Sequence, residues 1–149
     1  MNVLWLSARY RKDDIITNKD AVWVYTENEE QTGGGETIEF MRSIENCHPL
    51  MVRQHHGKDG FYKEDNLLRT IQVIERYFNS LFIKIKQGKL AIMPTIEINE
   101  AMIELEKNAP SLHPLFVKNI ELVNRYKTKT LLWEEKDFAL NLKEALLIG

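Results

Sequence analysis

The sequence predicts an α+β domain in which a small, mostly antiparallel sheet packs on one long amphipathic helix, followed by shorter helices. Three observations predict it. The first half of the chain alternates short apolar runs with turn residues. Between Glu64 and Gln87 apolar residues recur every three or four positions, which is the period of one buried helix face. No regular strand–helix–strand repeat is visible, which favours segregated layers over a doubly wound sheet.

Val3–Leu6 reads as a strand, Arg9–Asp14 as a charged connection, and Ala21–Thr26 as a second strand. Thr37–Met41 alternates weakly and fits either a strand or a short helix, and Leu50–Arg53 is a brief strand after Pro49. His55–Gly60 carries two glycines in a polar run, a turn signal. The long helix then buries Leu67, Ile71, Ile74, Phe78, Leu81 and Ile85, with Leu68 and Phe82 widening the stripe. Glu64 and Asp65 near its start and Lys84, Lys86 and Lys89 near its end suit the helix dipole, and Gly88 stops it. At 1.5 Å per residue it would run roughly 36 Å. Lys89–Met93 reads as a strand ended by Pro94. Asn99 is placed to cap a short helix over Glu100–Lys107. Pro110 breaks the chain, and Ser111 is placed to cap a helix that puts Leu112, Leu115, Phe116, Ile120, Val123 and Tyr126 on one face. Thr130–Trp133 fits a strand, and Glu134–Leu147 a last helix with Phe138, Leu142, Ala145 and Leu146 inward.

The 149 residues suit a single globular domain over 1–149, and 44% hydrophobic with 28% charged residues is an ordinary balance for one that folds alone. A formal net charge of −2 gives no overall pull toward DNA or an anionic membrane, so neither is expected as a partner. One cysteine, Cys47, excludes an internal disulfide framework. Met1–Leu6 is too short for a leader, and no run approaches the roughly 18 apolar residues of a membrane span. The expected compartment is the cytoplasm.

The stretch with the most chemical content is Tyr25-Thr26-Glu27-Asn28-Glu29-Glu30-Gln31-Thr32-Gly33-Gly34-Gly35-Glu36. Three glycines after a strand are costly to order and are found where backbone takes positive φ or another group comes close. Free amides there can form a concave nest for an anion, whereas the plainer reading is a flexible turn. The loop lacks the Lys and Ser/Thr of a P-loop and the spacing of a dinucleotide fingerprint. Its glutamates would each repel an anion by about 1 kcal/mol at 4 Å in water, so a bound anion needs cations from elsewhere, or the glutamates meet ribose hydroxyls instead. Arg53, His55, His56 and Lys58 supply such cations within six residues, or else form a solvated turn. Tyr62 beside them is placed to stack on a base, and Asn28 or Glu27 suits a ribose. Cys47, His48, His55 and His56 lack the spacing of a structural zinc site, so no metal is expected. No nucleophile-elbow or Ser/His/Asp frame is present. No catalytic residue and no cofactor are assigned, and a binding protein is expected rather than an enzyme.

Tyr25-Thr26-Glu27-Asn28 with Thr32 and Gly33-Gly34-Gly35, the glycine-bearing loop His55–Gly60 ahead of a long helix, Ile96-Glu97-Ile98-Asn99, and Ala109-Pro110-Ser111-Leu112 together resemble the phage Thoeris anti-defence proteins and their uncharacterised relatives. The resemblance covers roughly residues 22–126, leaving 1–20 and 127–149 as extensions. It departs at Gln31, where that family has arginine, and at Arg53-Gln54, where it has an aromatic residue. The resemblance implies a homo-oligomeric sponge in the host cytoplasm that sequesters a small cyclic nucleotide, such as a cyclic ADP-ribose isomer or cyclic oligonucleotide, without turning it over. The implied ligand-binding residues are Thr26, Asn28, Thr32, Gly33, Gly34, Gly35, Arg53, His55, His56, Lys58 and Tyr62. Two other readings compete. One is an inhibitor that caps a bacterial defence effector through the acidic run Glu27–Glu39. The other is a small nucleotide hydrolase using His55 and His56 as acid and base.

Overall fold

The computed structural model describes residues 1–131 and Leu142. Its elements, in chain order, are β1 (Val3–Leu6), α1 (Lys12–Thr17), β2 (Val22–Asn28), α2 (Glu36–Arg42), β3 (Cys47–Arg53), α3 (Leu67–Lys86), β4 (Ala91–Pro94), α4 (Thr95–Asn108), α5 (His113–Asn124) and β5 (Lys127–Leu131). The five strands form one sheet in the order β3-β2-β4-β1-β5, and every strand pairing is parallel. The fold is therefore α/β, which corrects the expectation of a mostly antiparallel sheet on one helix. The antiparallel contact among the described residues is an isolated bridge, Arg53 with Phe61.

Two features of the sequence concealed this. The early crossover helices have six and seven residues, too few to display a 3.6-residue period. The expected charged connection Arg9–Asp14 holds the start of one, and Thr37–Met41 lies within the other. The strands β1 and β4 are buried at every position, so they lack the in–out alternation of a half-exposed antiparallel sheet.

The connections from β1 to β2 and from β2 to β3 run one way along the sheet, and those from β3 to β4 and β4 to β5 run back. Because parallel crossovers keep one hand, reversing direction moves the helices to the opposite face. The core obeys this. On one face Val3, Trp5, Val22, Val24, Leu50, Val52, Ala91 and Met93 pack against α3, α4 and α5 through Ile74, Phe78, Leu81, Ile98, Leu105, Phe116 and Ile120. On the other, Leu4, Leu6, Trp23, Tyr25 and Ile92 meet Ile15 of α1, Met41 of α2 and Leu142.

Helix α3 buries much of the expected face, but Leu68 points to solvent (74% exposed) and the helix starts after Glu64 and Asp65. Gly88, at φ +87°, ends it as expected. Helix α4 begins at Thr95, directly after Pro94, so Asn99 lies inside it and caps nothing. Pro114 sits in the first turn of α5, where its missing donor costs no helical bond. Strand β5 begins three residues before the expected Thr130–Trp133 and includes its Thr130 and Leu131, while Leu132 and Trp133 fall outside the described residues. So does most of the expected helix Glu134–Leu147. Its Leu142 is described: it is buried, and its amide donates to Asn18 Oδ1 at 2.9 Å.

Strands β2 and β4 pair only at Val22–Ala91 and Trp23–Ile92, and then separate. The phenol oxygen of Tyr10 lies 2.7 Å from Val24 O and 3.0 Å from Ile92 O, bridging the strands where they part. Its ring stands edge-on to Trp23 with centroids 4.9 Å apart. Removing the hydroxyl in Tyr10→Phe leaves these carbonyls without it, so urea unfolding should show a loss of about 1–3 kcal/mol.

His48 is buried beneath α3. Its Nε2 faces Tyr77 O at 2.8 Å and its Nδ1 faces Lys84 Nζ at 3.0 Å. A carbonyl accepts and an ammonium donates, so Nε2 carries the proton and the ring is neutral. Burial, then the neighbouring Lys84 charge, pushes its pKa down to about 4, against the pull of the Tyr77 carbonyl. A depressed histidine pKa means the unfolded chain binds the proton first as pH falls. Stability should be full above about pH 6.5 and decline toward pH 4. The His48 ring protons should show no titration in NMR spectra between pH 8 and 5.5.

Candidate functional site

In open α/β sheets, ligands bind beyond the carboxyl ends of the strands, where neighbouring strands send their helices to opposite faces. Here β2 leads to α2 on one face, while its neighbours β3 and β4 lead to α3 and α4 on the other. A cleft of about 240 Å³ lies at this place. Thr26, Glu27 and Asn28 line it from the end of β2, Val52 and Arg53 from β3, and Glu97 from the first turn of α4. Arg9 enters from the β1–α1 connection, Ile38 and Arg42 from α2, and Gly34 and His56 from the two turns. A larger hollow of about 500 Å³ lies at the opposite edge, among Lys19, Asp20, Asn46, Lys84 and Lys89. It sits at the amino ends of the strands and receives neither glycine turn, so the carboxyl-edge cleft is the candidate site.

The glycine turn is built by Asn28. Its Nδ2 donates to Thr32 O at 2.8 Å and its Oδ1 accepts from Thr32 N at 3.3 Å, while Gln31 N donates to Asn28 O at 3.0 Å. This closes the chain into a tight loop with Gln31 at φ +55°. Gly33, Gly34 and Gly35 follow at φ +65°, +87° and +90°, and their amides meet no hydrogen-bond acceptor among the described residues.

The second turn is equally tight. Gln54 N donates to Gly60 O at 2.7 Å and Gly60 N to Gly57 O at 3.1 Å. A Cβ on Gly60 would fall 1.7 Å from His55 O, so only glycine fits. The turns touch: a Cβ on Gly33 would lie 2.4 Å from His56 Cγ. Two segments more than twenty residues apart thus form one wall.

The charges are largely paired. Glu27, deeply buried, receives Arg42 Nε on Oε2 at 2.8 Å and Arg42 Nη2 on Oε1 at 2.8 Å, and Asn28 N donates to Oε1 at 3.0 Å. Arg9 reaches Glu97 Oε1 at 3.1 Å and Glu100 Oε1 at 3.0 Å. Arg53 lays its guanidinium 4.2 Å from the Phe61 ring centroid and donates from Nη2 to Gly57 O. Its Nε, like Glu97 Oε2 and Thr95 Oγ1, is buried without a partner among the described residues. Burial raises the Glu97 carboxyl above its ordinary pKa, and Glu100 adds to this, while its own backbone amide and Arg9 pull it down.

Of the residues expected to bind a ligand, Thr26, Asn28, Gly34, Arg53 and His56 line the cleft, and Gly33 supports it through His56. Thr32 closes the Asn28 loop, and Gly35 precedes α2 with open space around it. His55 spends Nδ1 on His56 O, and Lys58 points to solvent, lining no part of the cleft. Tyr62 is core: its ring is buried and its hydroxyl donates to Glu29 Oε2 at 2.7 Å, so it offers no face to a base. Arg9, Arg42 and Glu97 went unrecognised. Arg9 and Glu97 each follow a short apolar run, and once those runs are read as parallel strands the residues fall at their carboxyl ends. Among the described residues, no three His, Cys, Asp or Glu side chains converge to hold a metal, and no helix is long and apolar enough to cross a membrane.

Alanine at Gly33 faces both a left-handed backbone and the His56 ring, and should destabilise by about 1–3 kcal/mol. In a His56→Ala background the same change should cost less, since only the backbone strain remains. A double-mutant cycle in urea should therefore be non-additive, whereas Gly35→Ala and His56→Ala should add independently.

Neither a curated protein nor a solved structure matches the chain. The family of unknown function DUF7831 matches residues 5–119, a span that includes every residue lining the cleft. The chain belongs to that family.

Proposed function

We infer that this protein binds a phosphate-bearing nucleotide in the carboxyl-edge cleft and holds it without turnover, as a sponge for a cyclic nucleotide signal in anti-defence. One observation carries the reading. The glycine turn and the cationic turn pack on each other, Gly33 against His56, at the edge of the sheet where α/β folds take ligands. Unpartnered glycine amides suit phosphate oxygens, and Arg9, the most exposed of the cleft's arginines, adds positive charge. The residues lining the cleft include no serine or cysteine, and among the described residues no carboxylate pairs with His56. That favours binding over hydrolysis. The effector-capping alternative loses ground because much of its acidic run is engaged: Glu27 by Arg42, Glu29 by Arg69 and Tyr62, and Glu36 by Lys12. At about 240 Å³ the cleft is below the usual range for a whole small-molecule ligand. In this reading it grips one ribose-phosphate portion, and a second copy covers the rest.

Native mass spectrometry of the protein with ADP, ADP-ribose, cyclic ADP-ribose isomers and cyclic oligonucleotides tests the proposal. The expected outcome is a bound mass recovered intact after heat denaturation, on an oligomer. Release of a linear product would replace it with the hydrolase reading. No bound mass with any compound would reject nucleotide binding.

A further inference from the structure

Glu27 and Asn28, which the sequence suggests for a ribose, are both occupied within the protein. Glu27 gives its oxygens to Arg42 and to the Asn28 amide, and Asn28 closes on Thr32. A different carboxylate in the same cleft has an oxygen to spare. Glu97 Oε1 accepts from Arg9, but Oε2 meets no donor among the described residues. Arg53 also lines the cleft, with its guanidinium fixed by Gly57 O and Phe61, and its Nε meets no acceptor. The cleft therefore holds one unmatched buried acceptor and one unmatched buried donor, in a class of atoms that native proteins nearly always pair.

The chemistry of the missing partner follows. A phosphate oxygen would satisfy Arg53 but meet Glu97 as a like charge. An apolar group would satisfy neither. A hydroxyl both donates and accepts, and both side chains line the cleft that a sugar would enter. Resting on the nucleotide reading above, we propose that the ligand is a ribonucleotide whose sugar hydroxyls are read by Glu97 Oε2 as acceptor and Arg53 Nε as donor, with its phosphates toward the glycine turn. Burial, the largest influence on the Glu97 carboxyl, makes an incoming donor more valuable there than in water. Glu97 lies in the first turn of α4, which follows β4 without a connecting loop, so its position is set by the sheet.

Calorimetric titration of the full chain with ADP, 2′,3′-dideoxy-ADP and inorganic pyrophosphate tests this. The wild type should bind ADP more tightly than dideoxy-ADP by about tenfold or more, as expected for hydrogen bonds to charged groups. Glu97→Ala should erase that preference. Glu97→Gln, which keeps an acceptor oxygen, should retain part of it, and Glu100→Ala, which removes only the second partner of Arg9, should retain it in full. Equal wild-type affinity for ADP and dideoxy-ADP overturns the hydroxyl assignment while nucleotide binding stands. A preference that survives Glu97→Ala overturns the role of Glu97. Failure of the wild type to bind any of the three overturns the hydroxyl assignment, whereas nucleotide binding as such falls only if the cyclic compounds also give no bound mass. If Glu97→Ala does not fold, the wild-type comparison and Glu97→Gln still decide.

Discussion

The cleft exists because β2 and β4 stop pairing after two residues. β1 stays paired with β4 as far as Leu6–Pro94, and β2 with β3 as far as Asn28–Arg53, so the sheet continues on both sides of the split. Separating two central strands carries a cost, because backbone carbonyls that would face each other's amides lose their partners. Tyr10 reduces that cost by placing one hydroxyl between Val24 O and Ile92 O, its single hydrogen donated to one or shared between them, while its ring packs against Trp23. A tyrosine suits the task because it joins a large apolar body to a polar tip. Beyond the bridge the strand ends are free to diverge, and the side chains that line the cleft come from those ends and the segments that follow them.

The arginines around the cleft differ in what they can do, and burial decides how. Arg42 and Glu27 form a buried two-point pair, with their side chains 14% and 1% exposed. Breaking a pair of that kind by removing one member costs about 3–5 kcal/mol, so Arg42 is a strut between α2 and β2 and is not available to a ligand. Arg9 is 61% exposed, and its partner Glu100 54%. Exposed pairs contribute about 0–1 kcal/mol, which a charge-assisted bond to phosphate readily offsets. Arg9 is thus the cation that can change partners. Arg53 lies between these cases, its guanidinium 4.2 Å from the Phe61 ring centroid and its buried Nε without a partner among the described residues.

What was legible in the sequence follows from element length and from which contacts are local. Helix α3 showed itself because twenty residues display many turns of the 3.6 period, and the apolar cores of β1 to β4 showed themselves as short runs between turn signals. Strand direction did not, because it is decided by what connects two strands, and α1 is too short to register as a helix while α2 reads equally as a strand. The site was half legible for the same reason. Residues in the two turns, such as Asn28, Gly33, Arg53 and His56, are marked by glycine and charge clustering. Arg9 and Glu97 are ordinary residues in local sequence and gain their place only from the order β3-β2-β4-β1-β5, which brings the ends of β1 and β4 beside β2. Tyr62 follows the basic loop closely in sequence, which suggests a ligand contact, whereas its ring is buried in the core with Ile74 and Phe78 of α3.

The acidic residues of the glycine turn, which looked like an obstacle to an anion, are largely compensated by partners distant in sequence. Arg42 holds Glu27, Arg69 and Tyr62 hold Glu29, and Lys12 meets Glu36 at 2.6 Å. Burial pushes the Glu29 carboxyl up, but its bonds to Arg69 and Tyr62 more than offset this and leave it below its ordinary pKa, firmly ionised and paired. Each pairing turns a bare charge into a local dipole whose field falls off faster than that of a charge, so the repulsion of about 1 kcal/mol per glutamate largely cancels at the amides of Gly33–Gly35. Among the described residues of the turns and the cleft lining, the unbalanced features are then the glycine amides without acceptors, Arg53 Nε without an acceptor, and Glu97 Oε2 without a donor. Donors predominate on the turns and an acceptor stands at the end of β4. That polarity matches a molecule with anionic oxygens at one end and hydroxyls at the other, and it requires no group in the cleft to break a bond.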